Sequence, residues 1–117
     1  VDEYLTWVKK YNEAADLEIS NGFAYFPNYT TNNITQCTVA TNGIEPTTCL
    51  NITPSGSGEL DHPTSITING GFAYFANESG NSYTQCSIGT NGIEPSTCNT
   101  NLELRQYLRG PSDIAIH

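Results

Sequence analysis

Short runs of alternating apolar and polar residues recur along the chain. Leu17 and Ile19, Ile66 and Ile68, and Ile114 and Ile116 alternate within ADLEI (15–19), TSITI (64–68) and SDIAI (112–116). A period of two puts successive side chains on opposite faces of a strand. Asn21-Gly22 and Gly70-Gly71 supply tight turns after the first two runs. The aromatic run FAYF follows at 23–26 and 72–75. Its bulk falls on both faces, Phe23 and Tyr25 on one and Ala24 and Phe26 on the other, which suits a sheet covered on both sides. After a polar loop, ITQCTV (34–39) or YTQCSI (83–88) reads as a third strand and TNG as another turn. Thr-Thr-Cys-Leu-Asn-Ile (47–52) reads as the fourth strand, with a counterpart beginning at Ser96.

These elements are two copies of one unit. Residues 20–49 align with 69–98 without a gap, at an offset of 49, and 18 of the 30 positions are identical. The identities form three islands: GFAYF, TQC, and TNGIEP followed by Thr-Cys. A period of 20–50 residues marks a stacked or radial repeat, and a four-stranded antiparallel unit of that length is the blade of a β-propeller. The predicted fold is therefore all-β, two blades belonging to a larger propeller, an array or an oligomer. Unit 1 covers 15–62 and unit 2 covers 64–110; residues 1–19 end a preceding unit and lead into the first inner strand, and 111–117 open a further one. EYLTWVKKYNEAA (3–15) stands where the other copies have the fourth strand and returning loop, which predicts strand or irregular structure, with a short helix as the alternative. A blade has two faces to cover. Two blades cover one face each and leave two apolar faces bare, and neither end of the chain carries a polar cap. Further blades, further copies or strand exchange are expected to cover them.

HPTSITINGGFAYFANESGNSYTQC (62–86) resembles the NHL and YVTN-type propeller repeat, in which His-Pro-x-x-Ile-x-Ile leads to glycine, a Tyr-centred strand, Asn and a variable polar turn. The resemblance spans both units and implies the fold more than an activity. Such repeats occur in lactonase-like enzymes, in sugar- or protein-binding modules and in surface scaffolds. The paired cysteines depart from the usual intracellular form.

Cys37, Cys49, Cys86 and Cys98 form two C-x11-C pairs, which lack the close spacing of a structural zinc site or a redox CxxC. An even separation of 12 puts both members of a pair on the same face of adjoining strands, with Gly43 or Gly92 at the centre. The repeat thus selects Cys37–Cys49 and Cys86–Cys98 from the three possible pairings. Such bonds require an oxidising compartment, so the expected location is extracellular, cell-surface or periplasmic.

Charge narrows the partners. Twelve acidic residues against four basic give a net charge of −8, which argues against nucleic acid and anionic lipid. No apolar run is long enough for a membrane-spanning helix. The chain contains no Met, and is expected to be a processed form or part of a longer protein. No Gly-x-Ser-x-Gly elbow or other catalytic constellation is present, and neither a cofactor nor a metal is implied. Glu59, Asp61 and Asp113 read as solvated acids, His62 as a loop-packing residue. The loops that differ most between the copies (27–33, 53–62, 76–82 and 102–110) are expected to share one rim, and variable loops on a repeated scaffold are where binding specificity sits. Tyr29, Glu78, Arg105, Tyr107 and Arg109 are the binding candidates there, toward a protein or glycan. Asn28, Asn33, Asn51 and Asn77 head N-x-S/T sequons and are candidate glycan acceptors. A non-enzymatic extracellular repeat module with a structural or binding role is the reading these features favour. The alternatives are part of a lactonase- or hydrolase-like propeller enzyme, or an oligomeric lectin. The absence of an aromatic partner for Tyr29 at position 78 weighs against the lectin.

Overall fold

The computed structural model describes residues 14–55, 58–101, 111 and 114. The described residues are all-β, folded into two four-stranded antiparallel sheets of propeller-blade form. Unit 1 contains β1 (Glu18–Ser20), β2 (Phe23–Asn28), β3 (Asn33–Ala40), the short β4 (Gly43–Ile44) and β5 (Leu50–Ile52). Unit 2 contains β6 (Pro63–Asn69), β7 (Phe72–Asn77), β8 (Ser82–Gly89), the short β9 (Gly92–Ile93) and β10 (Asn99–Asn101). Sheet 1 runs β1-β2-β3-β5 and sheet 2 runs β6-β7-β8-β10; β4 and β9 form ribbons on the far ends of β3 and β8.

The predicted turns form. Ser20 pairs with Phe23 and Asn69 with Phe72, leaving Asn21-Gly22 and Gly70-Gly71 as two-residue loops. All four loop residues have positive φ, from 48° to 84°, as the turn that matches strand twist requires.

Three expectations are corrected. The fourth strand does not run from 47. Pro46–Thr48 and Pro95–Thr97 form 3-10 turns, and the strands begin only at Leu50 and Asn99. Each proline fixes φ and lacks an N–H, so it opens a helical turn rather than continuing a ladder. The Thr48 and Thr97 hydroxyls then pin the turns, donating to the Glu45 and Glu94 carbonyls and accepting the Thr38 and Ser87 amides. The first strand of unit 1 is also shorter than ADLEI. The Leu17 amide is taken by Asp16 Oδ1 at 2.8 Å, while Asp16 Oδ2 reaches across to the Ile66 amide at 3.0 Å. Finally, the rim loops are tighter than predicted, because Pro27, Asn28 and Asn33, with Ala76, Asn77 and Ser82, belong to strands. The predicted elements at 3–15 and 112–116 lie largely outside the described residues, as does the 102–110 loop.

The main core lies between the sheets. Tyr25, Ile34, Ile52 and Leu60 of unit 1 pack on Ile66, Ala73, Phe75, Cys86, Ile93 and Cys98 of unit 2. These faces are not equivalent: Tyr25 of sheet 1 meets Phe75 and Ala73, whereas its own counterpart Tyr74 lies on the far side of sheet 2. The blades therefore stack head to tail. A second cluster, Ala24, Phe26 and Cys37, lies on the outer face of sheet 1.

Both disulfides pair as the repeat requires, Cys37 with Cys49 and Cys86 with Cys98, with Cα atoms 4.1 and 4.0 Å apart. They join the third strand to the segment entering the fourth, and point to an oxidising, extracellular-type environment. No helix among the described residues is long and apolar enough to cross a membrane.

Candidate functional site

Three of the four loops expected to share a rim do so; the fourth, 102–110, lies outside the described residues. Thr31 and Asn32 from the β2–β3 loop, Gly80 from the β7–β8 loop and Thr53, Pro54, Glu59, Leu60 and Asp61 from the inter-blade segment line one open cleft of about 740 Å³. Left-handed asparagines turn the two strand-joining loops beside it, with φ of 56° at Asn32 and 48° at Asn81. Asparagine tolerates this backbone better than other non-glycine residues.

Tyr29 and Glu78 meet directly. The Tyr29 hydroxyl donates to Glu78 Oε1 at 2.6 Å, and with that carboxylate as acceptor its pKa is raised above the ordinary phenol value. Since 29 and 78 are equivalent positions, this bond ties one repeat to the next. His62 packs against Tyr29 with ring centroids 4.8 Å apart and ring planes tilted by 60°. Its amide donates to Asn32 Oδ1 at 2.7 Å, and its Nδ1 lies 3.0 Å from Asp61 Oδ1. His62 also holds φ at +55°, a conformation that these contacts stabilise. The rim is thus a linked set of side chains, in which His62 packs within the loops and its partner there is Tyr29. Arg105, Tyr107 and Arg109 lie outside the described residues, as do Lys9 and Lys10. The described part of the rim carries the acids Glu59, Asp61 and Glu78 and no lysine or arginine. No cluster among the described residues could hold a metal ion.

The asparagines divide. Asn28 and Asn77 are fully buried, and this corrects their assignment as glycan acceptors in the folded chain. The Asn28 amide donates to Asn33 Oδ1 and Thr35 Oγ1 at 2.8 and 2.9 Å, and Thr35 passes the chain on to Asn51 Oδ1 at 2.7 Å. In unit 2, Asn77 donates to Ser82 and Thr84, and Thr84 shares a hydrogen bond with Thr100. Asn77 Oδ1 also accepts the Asp61 amide at 3.2 Å, which fixes one wall of the cleft. These ladders run across three strands beneath the rim. Their signal was in the sequence, for Asn28/Asn77 and Thr35/Thr84 are identical between the copies, which suits a scaffold role. Asn33 is partly buried and Asn51 exposed.

The chain matches no protein-family model and no curated protein sequence.

Proposed function

We propose that the chain is a non-enzymatic repeat module of an extracellular, cell-surface or periplasmic protein. It presents the loop rim as a binding surface and assembles through its blades with further copies or further units. The convergence of the segments that differ between the repeats on a single cleft carries this reading, while the identical islands build strands, turns and disulfides. Hydroxyl and amide groups of Thr31, Asn32 and Thr53, beside Glu59 and Asp61, suit an uncharged polyhydroxyl ligand or a basic peptide segment. The NHL/YVTN-like pattern at 62–86 is consistent with that role.

Glycan-array screening and titration with lysine-rich peptides test the rim. The expected outcome is binding that weakens at least tenfold in Asp61→Asn or Thr53→Trp, while the disulfides and circular dichroism stay unchanged. Equal binding by both variants would place the ligand elsewhere.

A further inference from the structure

The joint between the sheets contains a polar lock. Gln36, on β3, is 6% exposed. Its Nε2 donates to the Asn91 carbonyl at 3.0 Å and its Oε1 accepts the Ile93 amide at 3.1 Å. The side chain occupies space that only glycine leaves: a Cβ at Gly92, where φ is +100°, would collide with the Gln36 amide.

Every part of this lock occurs a second time. Gln85 stands opposite Tyr74 on sheet 2 as Gln36 stands opposite Tyr25 on sheet 1. Thr41-Asn42-Gly43-Ile44 repeats Thr90-Asn91-Gly92-Ile93 residue for residue, and Gly43 has φ +102°. Among the described residues, however, a Cβ at Gly43 would meet nothing within 4 Å. Among the described residues the socket is built and open. The plug face is also preformed. Phe72 and Tyr74 hold their rings 6.3 Å apart at 49°, against 6.2 Å and 43° for Phe23 and Tyr25. Tyr25 is fully buried in the joint, whereas Phe72 is 37% exposed and Tyr74 only partly covered.

We propose that these two halves join copies of this chain, Gln85 of one inserting over Gly43 of the next. Its Nε2 donates to the Asn42 carbonyl and its Oε1 accepts the Ile44 amide. The inference rests on the assembling-module reading above and names its contact. The partner is a second copy because it carries the matching socket. The contact is heterologous: each addition leaves one plug and one socket free, so growth continues until a ring closes or a filament forms. The centre of sheet 1's outer face is already occupied, with Ala24, Phe26 and Cys37 buried, so the arriving copy engages the hairpin beside it. At the inner edge, Thr64 Oγ1 donates to the Pro111 carbonyl at 3.0 Å.

Sedimentation of the whole oxidised chain over a range of concentrations, with amide hydrogen exchange, tests this contact. The expected result for the unmodified chain is an average mass that climbs above 12.7 kDa and Ile44 exchange that slows as it does. In Gln85→Ala the association weakens roughly tenfold or more, as the loss of two buried hydrogen bonds implies, and the slowing of Ile44 is lost. Association that is indifferent to Gln85→Ala, with Ile44 unprotected, overturns this contact and leaves assembly standing. A chain that stays monomeric throughout overturns both.

Discussion

Tyr25 sets packing against polarity. It is fully buried between the sheets, and its hydroxyl has no hydrogen-bond partner among the described residues. Burial pushes its pKa up to about 12. A folded-state value above the unfolded one, near 10, means that the native state holds the proton more tightly. The associated stability is complete below pH 10 and is lost as pH rises toward 12, by an amount on the order of 2–3 kcal/mol. Tyr25→Phe is expected to abolish that alkaline loss and to leave neutral stability unchanged or raised by about 1 kcal/mol, since it removes an unpartnered hydroxyl. Urea unfolding at pH 7 and at pH 11 measures both effects; a variant less stable than the parent at pH 7 would show that the hydroxyl is paired. At this scale the sequence was legible in part. FAYF announced a strand bulky on both faces. The sequon pattern at Asn28 and Asn77 misled, because a tripeptide carries no measure of burial. The identity of both asparagines and their threonine partners between the copies was the better guide.

At the scale of the element, the disulfide pairing was legible before the structure, because a separation of 12 about Gly43 or Gly92, repeated in both units, puts the two cysteines of each pair on one face of adjoining strands. The strand limits were less legible. Glu-Pro-x-Thr reads as the approach to a strand, and only the Thr38 and Ser87 amides, which have the Thr48 and Thr97 hydroxyls as partners, show why a 3-10 turn wins. The two bonds close loops of equal sequence separation, 12 residues. Each is therefore worth about the same on the chain-entropy model, roughly 3 kcal/mol. Their surroundings differ. Cys98 is 3% exposed, under a backbone at Gly58 so close that a Cβ there would collide with it, whereas Cys49 is only partly buried. Graded dithiothreitol with mass-spectrometric mapping is expected to open Cys37–Cys49 first, because thiol–disulfide exchange depends on access to a sulfur. Simultaneous opening would mean that reduction proceeds only through global unfolding.

For the whole molecule, the question is what makes one blade recognise the next, and this was the least legible level. Both faces of FAYF are bulky, so the sequence could not say which face meets which. Nor could it show that Gln36, identical to Gln85 in its setting, has its side chain already paired with the neighbouring hairpin. Two glycines in the same hairpin position allow the lock to be weighed. Gly92 and Gly43 have φ of +100° and +102°, so alanine at either site incurs the same left-handed strain, about 1 kcal/mol. Only at Gly92 does the added methyl also displace Gln36 and strip the Asn91 carbonyl and Ile93 amide of their partner. The Gly92→Ala chain is therefore expected to be less stable than the Gly43→Ala chain by a further 1–3 kcal/mol, the cost of leaving buried polar groups unpaired. Denaturant unfolding in dilute solution, where self-association does not contribute, isolates this difference. Should the two variants unfold together, the lock adds nothing to the joint, and apolar packing of Tyr25 and Leu60 against Phe75 and Ile66 would hold the blades in register alone.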